Sequence, residues 1–255
     1  MKLSNKILLG LFAAIALNLL TGMVIMRSGL GPDGIGNGAT YIEEEGANKK
    51  VRLTATDFSQ LEIYDNYEVQ LIQGEEEYVE IEAQKNIVDL FRVVKEEENV
   101  LTITAKAGYT IKPTSKVVLT IGFKDLNSII ASGGPKLFAQ QPLNFDKLFL
   151  HLGGIGQLEA PIIANELDCK MNGATKAKLK GSIGQLNLTI SGIGQFYGDS
   201  LTIRTAKASV NGAGFAQLNV EDYLNATTTR SGDVEYSGNP KVDQYTSGAG
   251  RIYKK

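Results

Sequence analysis

The chain has 255 residues, 21 % of them charged, and a formal net charge of −2. Its length allows one large domain or two small ones, and its balanced charge excludes a basic surface for nucleic acid. A single cysteine, Cys169, excludes an internal disulfide and is expected to be a small buried side chain. The 28 glycines predict many tight turns between short strands.

An apolar run at the amino terminus predicts a membrane anchor. Residues 7–26 are largely apolar and lie between Lys6 and Arg27. As a helix, about 20 such residues span a bilayer. The one small-x-small triplet, residues 14–16, lies inside the run, and no cysteine follows it. We therefore expect an uncleaved signal anchor over residues 1–27, with the domain on the periplasmic side of the inner membrane. The alternative is a cleaved signal peptide and an outer-surface or secreted domain.

The segment after the anchor is rich in glycine. Residues 28–40 read SGLGPDGIGNGAT, a composition that cannot bury enough surface to fold. We predict a flexible linker over residues 28–50 that holds the following domain away from the membrane.

From Val51 onward, apolar and polar residues alternate as they do in half-buried strands. The alternation predicts strands over 51–56, 58–65, 67–74, 78–84, 100–106 and 116–123, with one short helical turn over 86–91. The acidic triplets 75–77 and 96–98 lack the spacing of a calcium loop, so we interpret them as solvated charge at turns and strand ends.

The second half of the chain is an internal repeat. A small or polar residue followed by glycine recurs every 19–21 residues, with a last interval of 16. Asparagine tolerates left-handed backbone and glycine adopts it freely, while hydroxyl and amide side chains can satisfy orphan amides. These residues predict a structural turn ladder along one corner of stacked coils, made of Ser132, Gly133, Gly154, Asn172, Gly173, Ser191, Gly192, Asn211, Gly212, Ser231, Gly232, Ser247 and Gly248.

The residues before each glycine predict which side chains face inward. Stacking coils about 4.8 Å apart buries one column of residues and leaves the alternate column solvated. The predicted outward residues are Ile130, His151, Lys170, Thr189 and Ser209. The predicted inward residues are Ile129, Ala131, Leu150, Leu152, Cys169, Met171, Leu188, Ile190, Ala208 and Val210, followed in the last repeats by the polar Thr228, Arg230, Gln244 and Thr246.

A repeat of this length without a leucine-rich consensus predicts an all-β fold, either a parallel β-helix or a related β-prism. The domain is expected over residues 51–255, with irregular first strands over 51–127 and regular coils over 128–255. A sandwich of hairpins is the alternative, because it also produces many short alternating strands.

Residues 58–93, with the segments ENVLTITAK and KPTSKVVLTIGFKDLNSIIASGG that follow, resemble the head GIN domain of autotransporter adhesins. This domain of unknown function is common in envelope proteins of Bacteroidetes-type bacteria. The similar parts are the F-x-x-I/L-E-I opening, the V-x-L-x-Q-G turn, the V-x-I-E-A strand, the Lys112-Pro113 turn and the later S-G-x-G units. The chain departs from the family at residues 64–66, where Tyr-Asp-Asn replaces a usual Ser-Gly pair. The resemblance covers residues 50–255 and implies a right-handed β-helix-like solenoid in the cell envelope, without established catalytic residues.

The sequence contains no convincing catalytic or metal-binding motif. His151, the only histidine, occupies an outward position, and Ser132 and Asp168 belong to adjacent coils. Because every repeat carries a similar serine or asparagine, we favour the turn role over a Ser-His-Asp triad. One histidine and one cysteine, without paired spacing, predict no metal site.

The sequence thus predicts a non-enzymatic, membrane-tethered scaffold or adhesin-like binding module without a cofactor. The alternative is a polysaccharide lyase or hydrolase, but Glu159, Asp199 and Glu221 stand at different offsets from their glycines and do not predict a carboxylate cluster. Candidate partners are the membrane through residues 7–26, an envelope protein or glycan, and further copies of the chain, either stacked through the coil ends or packed side by side into trimers. Aromatic residues that could stack on sugar rings are Phe196, Tyr197, Phe215, Tyr223 and Tyr236.

Overall fold

The computed structural model describes residues 40–42, 45–97, 99–107, 109–111 and 117–255. The predicted anchor, most of the predicted linker and the Lys112-Pro113 turn lie outside these residues. In the described part of the chain, no helix has both the length and the apolar character needed to cross a membrane.

The described residues form strands and one short helix, α1 (Lys85–Val88). The strands are β1 (Thr40–Ile42), β2 (Asn48–Thr54), β3 (Gln60–Asp65), β4 (Glu68–Gln73), β5 (Tyr78–Gln84), β6 (Phe91–Glu97), β7 (Val100–Ala105), β8 (Tyr109–Ile111), β9 (Val118–Phe123), β10 (Ser128–Gly133), β11 (Lys136–Phe138), β12 (Leu143–Gly154), β13 (Gln157–Gly173), β14 (Lys176–Gly192), β15 (Gln195–Gly212), β16 (Phe215–Arg230), β17 (Asp233–Ser237), β18 (Lys241–Gly248) and β19 (Ile252–Lys254).

From β10 onward the chain is a β-solenoid of parallel strands. Strands β12 to β16 pair in sequence order, and β16 then pairs with both β17 and β18. Each residue therefore stacks on its counterpart one repeat later, as Leu150 does on Cys169. This register confirms the predicted all-β solenoid and excludes a hairpin sandwich in this half, because hairpins pair antiparallel strands.

Alternating side chains build the core of the solenoid. All ten apolar residues predicted to face inward, from Ile129 to Val210, are buried. Their neighbours His151, Thr189 and Ser209 are half-buried, and Lys170 is exposed. Cys169 is fully buried, which confirms that this cysteine is a core side chain, and burial raises the pKa of its thiol to about 12. Fully burying one Leu, Ile or Val side chain contributes about 1.5–3 kcal/mol, so each inward column binds successive coils together.

The polar end of the stack differs from the prediction at one position. Thr228 stacks on Val210 and is buried, whereas Gln244 and Thr246 are exposed on β18. Arg230, which was predicted to face inward, pairs with Gly212 at the corner and is exposed. The prediction was wrong there because the alternation of a strand ends where the chain turns.

The first strands have mixed directions. Strands β3 and β4 pair in parallel with β10 and β11 and so continue the solenoid. By contrast, β2 with β5, β5 with β9, and β6 with β7 pair antiparallel. The predicted strands correspond to β2, β3, β4, β5, β7 and β9, and α1 lies at the predicted helical turn, but β6 was not predicted. In addition, β1 and the start of β2 lie within the predicted linker, and β1 pairs with β8 in a separate small sheet.

Candidate functional site

Eleven of the thirteen predicted turn residues lie along one corner of the solenoid. Positive φ angles recur at this corner, and a Cβ atom on Gly173 would lie 2.4 Å from the carbonyl oxygen of Gly154. Glycine is required there because any side chain would collide with the backbone of the preceding coil. The ladder glycines with positive φ are Gly133, Gly154, Gly173, Gly192, Gly212 and Gly248, and Ser132, Asn172, Ser191, Asn211 and Ser247 directly precede five of them.

Two predicted ladder residues lie elsewhere. Ser231 and Gly232 follow the corner, and Arg230 (φ 63°) takes the ladder position between Gly212 and Gly248. Gly232 instead lies against Gly250, because a Cβ atom on Gly250 would collide with the carbonyl oxygen of Gly232. The prediction was wrong because the coil from Gly212 to Arg230 is shorter than the coil before it. The Ser231-Gly232 pair therefore lies after the turn instead of in it.

The ladder also extends towards the amino terminus without glycine. Asp65 pairs with Gly133, Tyr64 pairs with Ser132, and Asp65 has a φ of 82°. The residues that replace the family's usual Ser-Gly pair therefore occupy the ladder position. The fold imposes the left-handed backbone here even on a residue that rarely adopts it.

His151 is not arranged as the base of a triad. Its Nε2 atom lies 3.3 Å from the side-chain nitrogen of Asn172, an amide rather than a carboxylate. Asp168 pairs with Phe149 and not with His151. Burial, and secondarily the charge of Lys170, lower the pKa of His151, which favours the neutral imidazole.

The carboxylates considered for a hydrolase do not share one column. Glu159 accepts a hydrogen bond from Lys178 at 3.0 Å, and this contact lowers the pKa of Glu159. Asp199 lies at the register shift between β14 and β15, and Glu221 at a shift between β15 and β16. Among the described residues, no group of three His, Cys, Asp or Glu side chains could hold a metal ion.

The most distinctive surface is one outer side of the solenoid, which we call the aromatic face. It consists of stacked three-residue runs whose middle residue points into the core and whose first and third residues point outward. The runs are 136–138, 157–159, 176–178, 195–197, 215–217, 233–235 and 251–253, joined in parallel register.

In the column formed by the third residue of each run, every third coil carries an aromatic ring. The column reads Phe138, Glu159, Lys178, Tyr197, Gln217, Glu235 and Tyr253. With coils about 4.8 Å apart, successive rings are roughly 14 Å apart along the solenoid. All three rings are half-buried. Phe215 adds a fourth ring, whose centroid lies 6.0 Å from that of Tyr197.

Several charges on the aromatic face are paired across coils. Besides the Glu159–Lys178 pair, Arg251 donates to Asp233 at 2.8 Å and lowers the pKa of that carboxyl. Glu235 accepts hydrogen bonds from Gln217 at 2.7 Å and from Tyr253 at 3.3 Å. The Nζ atom of Lys176 lies 5.2 Å from the centroid of Tyr197. The face thus mixes both signs of charge with amides and rings.

The sequence located this face only in part. Of the five aromatic residues singled out, Tyr197 and Phe215 belong to it, whereas Phe196 points into the core beneath it. Tyr223 lies elsewhere and donates to Asp243 at 2.7 Å, and Tyr236 packs partly against the core. Two further rings were missed, although a signal for them exists: Phe138 and Tyr253 stand five residues after a ladder glycine, as Tyr197 does.

Solved structures share this fold at low sequence identity. A "putative adhesin" from Bacteroides fragilis NCTC 9343 has a TM-score of 0.77 at 20 % identity, with 84 % of this chain and 100 % of that chain covered. A "putative lipid binding protein" from Parabacteroides distasonis ATCC 8503 has a TM-score of 0.71 at 17 % identity, with 85 % and 100 % covered. A "putative adhesin" from Parabacteroides merdae ATCC 43184 has a TM-score of 0.62 at 20 % identity, with 84 % and 99 % covered. A search of curated proteins gave no match.

The family assignment rests on the sequence itself. The profile described as "Putative auto-transporter adhesin, head GIN domain" matches residues 57–240, well over half of the chain. The matched region begins just before β3 and includes most of the corner ladder and most of the aromatic face. The protein therefore belongs to the head GIN domain family.

Proposed function

We propose that this protein is a non-enzymatic, adhesin-like binding module of the cell envelope, tethered to the membrane at its amino terminus. The observation that carries the proposal is the aromatic face, in which rings and hydrogen-bonding groups are presented in register on one side of a continuous core. An adhesin needs such a preorganised surface, because little side-chain freedom is then lost on binding.

Rigidity of the support favours this role. The coils are joined by backbone hydrogen bonds at every corner, for example from Ile155 N–H to the Gly133 carbonyl at 2.8 Å and from Ala174 N–H to the Gly154 carbonyl at 2.8 Å. The inward columns are buried from β10 to β16. The pairing of Glu159 with Lys178 and the separate positions of Asp199 and Glu221 also favour binding over glycoside hydrolysis, which needs two cooperating carboxylates.

The tether is proposed from residues 7–26, whose length and apolar character suit a signal anchor. The solenoid would then lie on the periplasmic side, wound right-handed as parallel crossovers are. The names of the structural neighbours, adhesins and a lipid-binding protein, agree with an envelope setting, and the expected partner is an envelope glycan or protein.

Two measurements test the proposal. Cells expressing the full chain are fractionated and the amino terminus of the protein is sequenced. Met1 in the membrane fraction supports the tether, whereas a start near residue 27 in a soluble fraction contradicts it. Beads coated with the purified full chain are then incubated with isolated bacterial envelopes. Retention above that of beads coated with heat-unfolded chain supports adhesion, and equal retention contradicts it.

A further inference from the structure

We propose that the aromatic face binds an uncharged glycan chain that lies along the solenoid axis, across the strands. This inference rests on the proposed function and gives its ligand a chemical class.

The rings provide the apolar part of such a site. Phe138, Tyr197 and Tyr253 recur every third coil in one outward column, with Phe215 beside the central ring. A pyranose ring has an apolar face of C–H groups, which packs against an aromatic ring as other apolar groups do. Rings roughly 14 Å apart, three coils of about 4.8 Å each, would contact separated sugars of one chain rather than one small molecule.

Amide side chains provide the polar part. Gln195 accepts a hydrogen bond from the Tyr197 hydroxyl at 3.1 Å, and Gln217 stacks on Tyr197 in the next coil. Gln157 lies two coils before Gln195, and both belong to the column formed by the first residue of each run. A glutamine amide offers two donors and an acceptor, which matches hydroxyl groups that both donate and accept. The rings are therefore flanked by groups suited to sugar hydroxyls.

The charges favour an uncharged chain. Opposite charges are already paired on this face, Glu159 with Lys178 and Asp233 with Arg251. A polyanion or a polycation running along the column would meet both signs in turn and would be repelled by one of them. The outer side of a sheet is also open along its length, unlike the concave sites that enclose small ligands. An extended neutral polymer fits both properties.

The test uses the detergent-solubilised full chain and neutral hexasaccharides of glucose and mannose, with heparin and polygalacturonate as charged probes. The chain has ten tyrosines and no tryptophan, so tyrosine fluorescence detects binding, and the single-residue variants show which ring is involved. We expect a neutral hexasaccharide to bind to the wild type. Tyr197→Ala and Phe215→Ala should each lower the affinity by up to about tenfold, because each variant loses a stacking surface. Tyr197→Phe keeps the ring and should keep most of the affinity. Tyr223→Ala removes an outward tyrosine outside the face and should bind like the wild type.

If no neutral probe binds, if only a charged probe binds, or if Tyr197→Ala and Tyr223→Ala bind equally, the inference is overturned. Circular dichroism of each variant verifies folding, and Tyr253→Ala replaces any variant that does not fold. The bead assay separates this inference from the proposed function. Beads that adhere equally with and without Tyr197 leave the adhesin role intact but reject the aromatic face, whereas wild-type beads that do not adhere reject the adhesin role itself.

Discussion

The side chain of Gln73 pairs with the backbone of Asn144 as a neighbouring strand would. The Gln73 Oε1 atom accepts the Asn144 N–H at 2.7 Å, and its Nε2 atom donates to the Asn144 carbonyl at 2.9 Å and to the Lys124 carbonyl at 3.1 Å. On its other side, Asn144 pairs with Ile163 of the next coil. A side-chain amide thus stands in for a peptide group at the start of β12.

We expect Gln73→Ala to lower the free energy of unfolding by about 1 kcal/mol, because hydrogen bonds across this edge are lost at a partly solvated site. Urea denaturation monitored by circular dichroism measures the change. The matched control is Gln70→Ala, which removes an outward glutamine from the same strand. Equal effects of the two substitutions would show that the Gln73 contacts add no stability.

A buried hydroxyl provides a second prediction. Thr228 is fully buried between Val210 and Thr246 in an inward column, and among the described residues its Oγ1 atom has no hydrogen-bond partner. Burying such a group costs about 1–3 kcal/mol, and valine has nearly the same shape. We expect Thr228→Val to raise the free energy of unfolding by about 1 kcal/mol. Thr227→Val, on the adjacent outward position, should change it little, and a gain confined to Thr227→Val would contradict the assignment.

The corner ladder predicts a strict need for glycine at Gly173. Its φ of +100° and the 2.4 Å approach of the Gly154 carbonyl leave no place for a methyl group. We expect Gly173→Ala to destabilise the protein by about 2 kcal/mol or more, because backbone strain is added to a collision. Gly74→Ala is the control, since a Cβ atom there would meet nothing within 4 Å. Thermal unfolding compares the two, and similar melting temperatures would argue against the ladder as a structural constraint.

His151 makes stability depend on pH. Burial and the charge of Lys170 lower its pKa in the folded state below the value of about 6.5 expected for an unfolded chain. Between the two pKa values the unfolded state therefore binds more protons than the folded state. As the pH is lowered through this range, the free energy of unfolding decreases. In urea titrations we expect the free energy of unfolding to decrease as the pH is lowered through about 6.5, the pKa of histidine in the unfolded chain. This decrease should be absent in His151→Gln, and an unchanged pH dependence in that variant would assign the effect to other groups.

Sequence patterns were sufficient where a residue's role depends on its immediate neighbours. The alternation around Cys169 and Met171 predicted inward side chains, because a strand sends successive residues to opposite faces. Arg230 shows the limit of this rule, since its place depends on where a shorter coil turns. The antiparallel pairing of β6 with β7 was also not predictable from local alternation, because strand direction depends on how distant segments meet.

The same distinction applies to the candidate site. Tyr197 and Phe215 were recognised as aromatic residues in the repeat, but Phe196, the residue before Tyr197, had the same composition signal and lies in the core. The register of the coils brings Phe138 and Tyr253 into one line with Tyr197, and the sequence signal for this line is their common spacing of five residues from a ladder glycine.

The hydrogen bonds between coils all point along the axis of the solenoid, as those from Ile155 to Gly133 and from Ala174 to Gly154 do. The protein should therefore resist mechanical load differently in different directions. A pull on the carboxyl terminus along the axis opens the bonds of the last coil one after another, and the coil peels away. A drag across the aromatic face loads many coils in parallel, because each one is bonded to both neighbours. If flow pulls a bound ligand across the aromatic face, the force acts in the direction in which the solenoid resists unfolding more strongly.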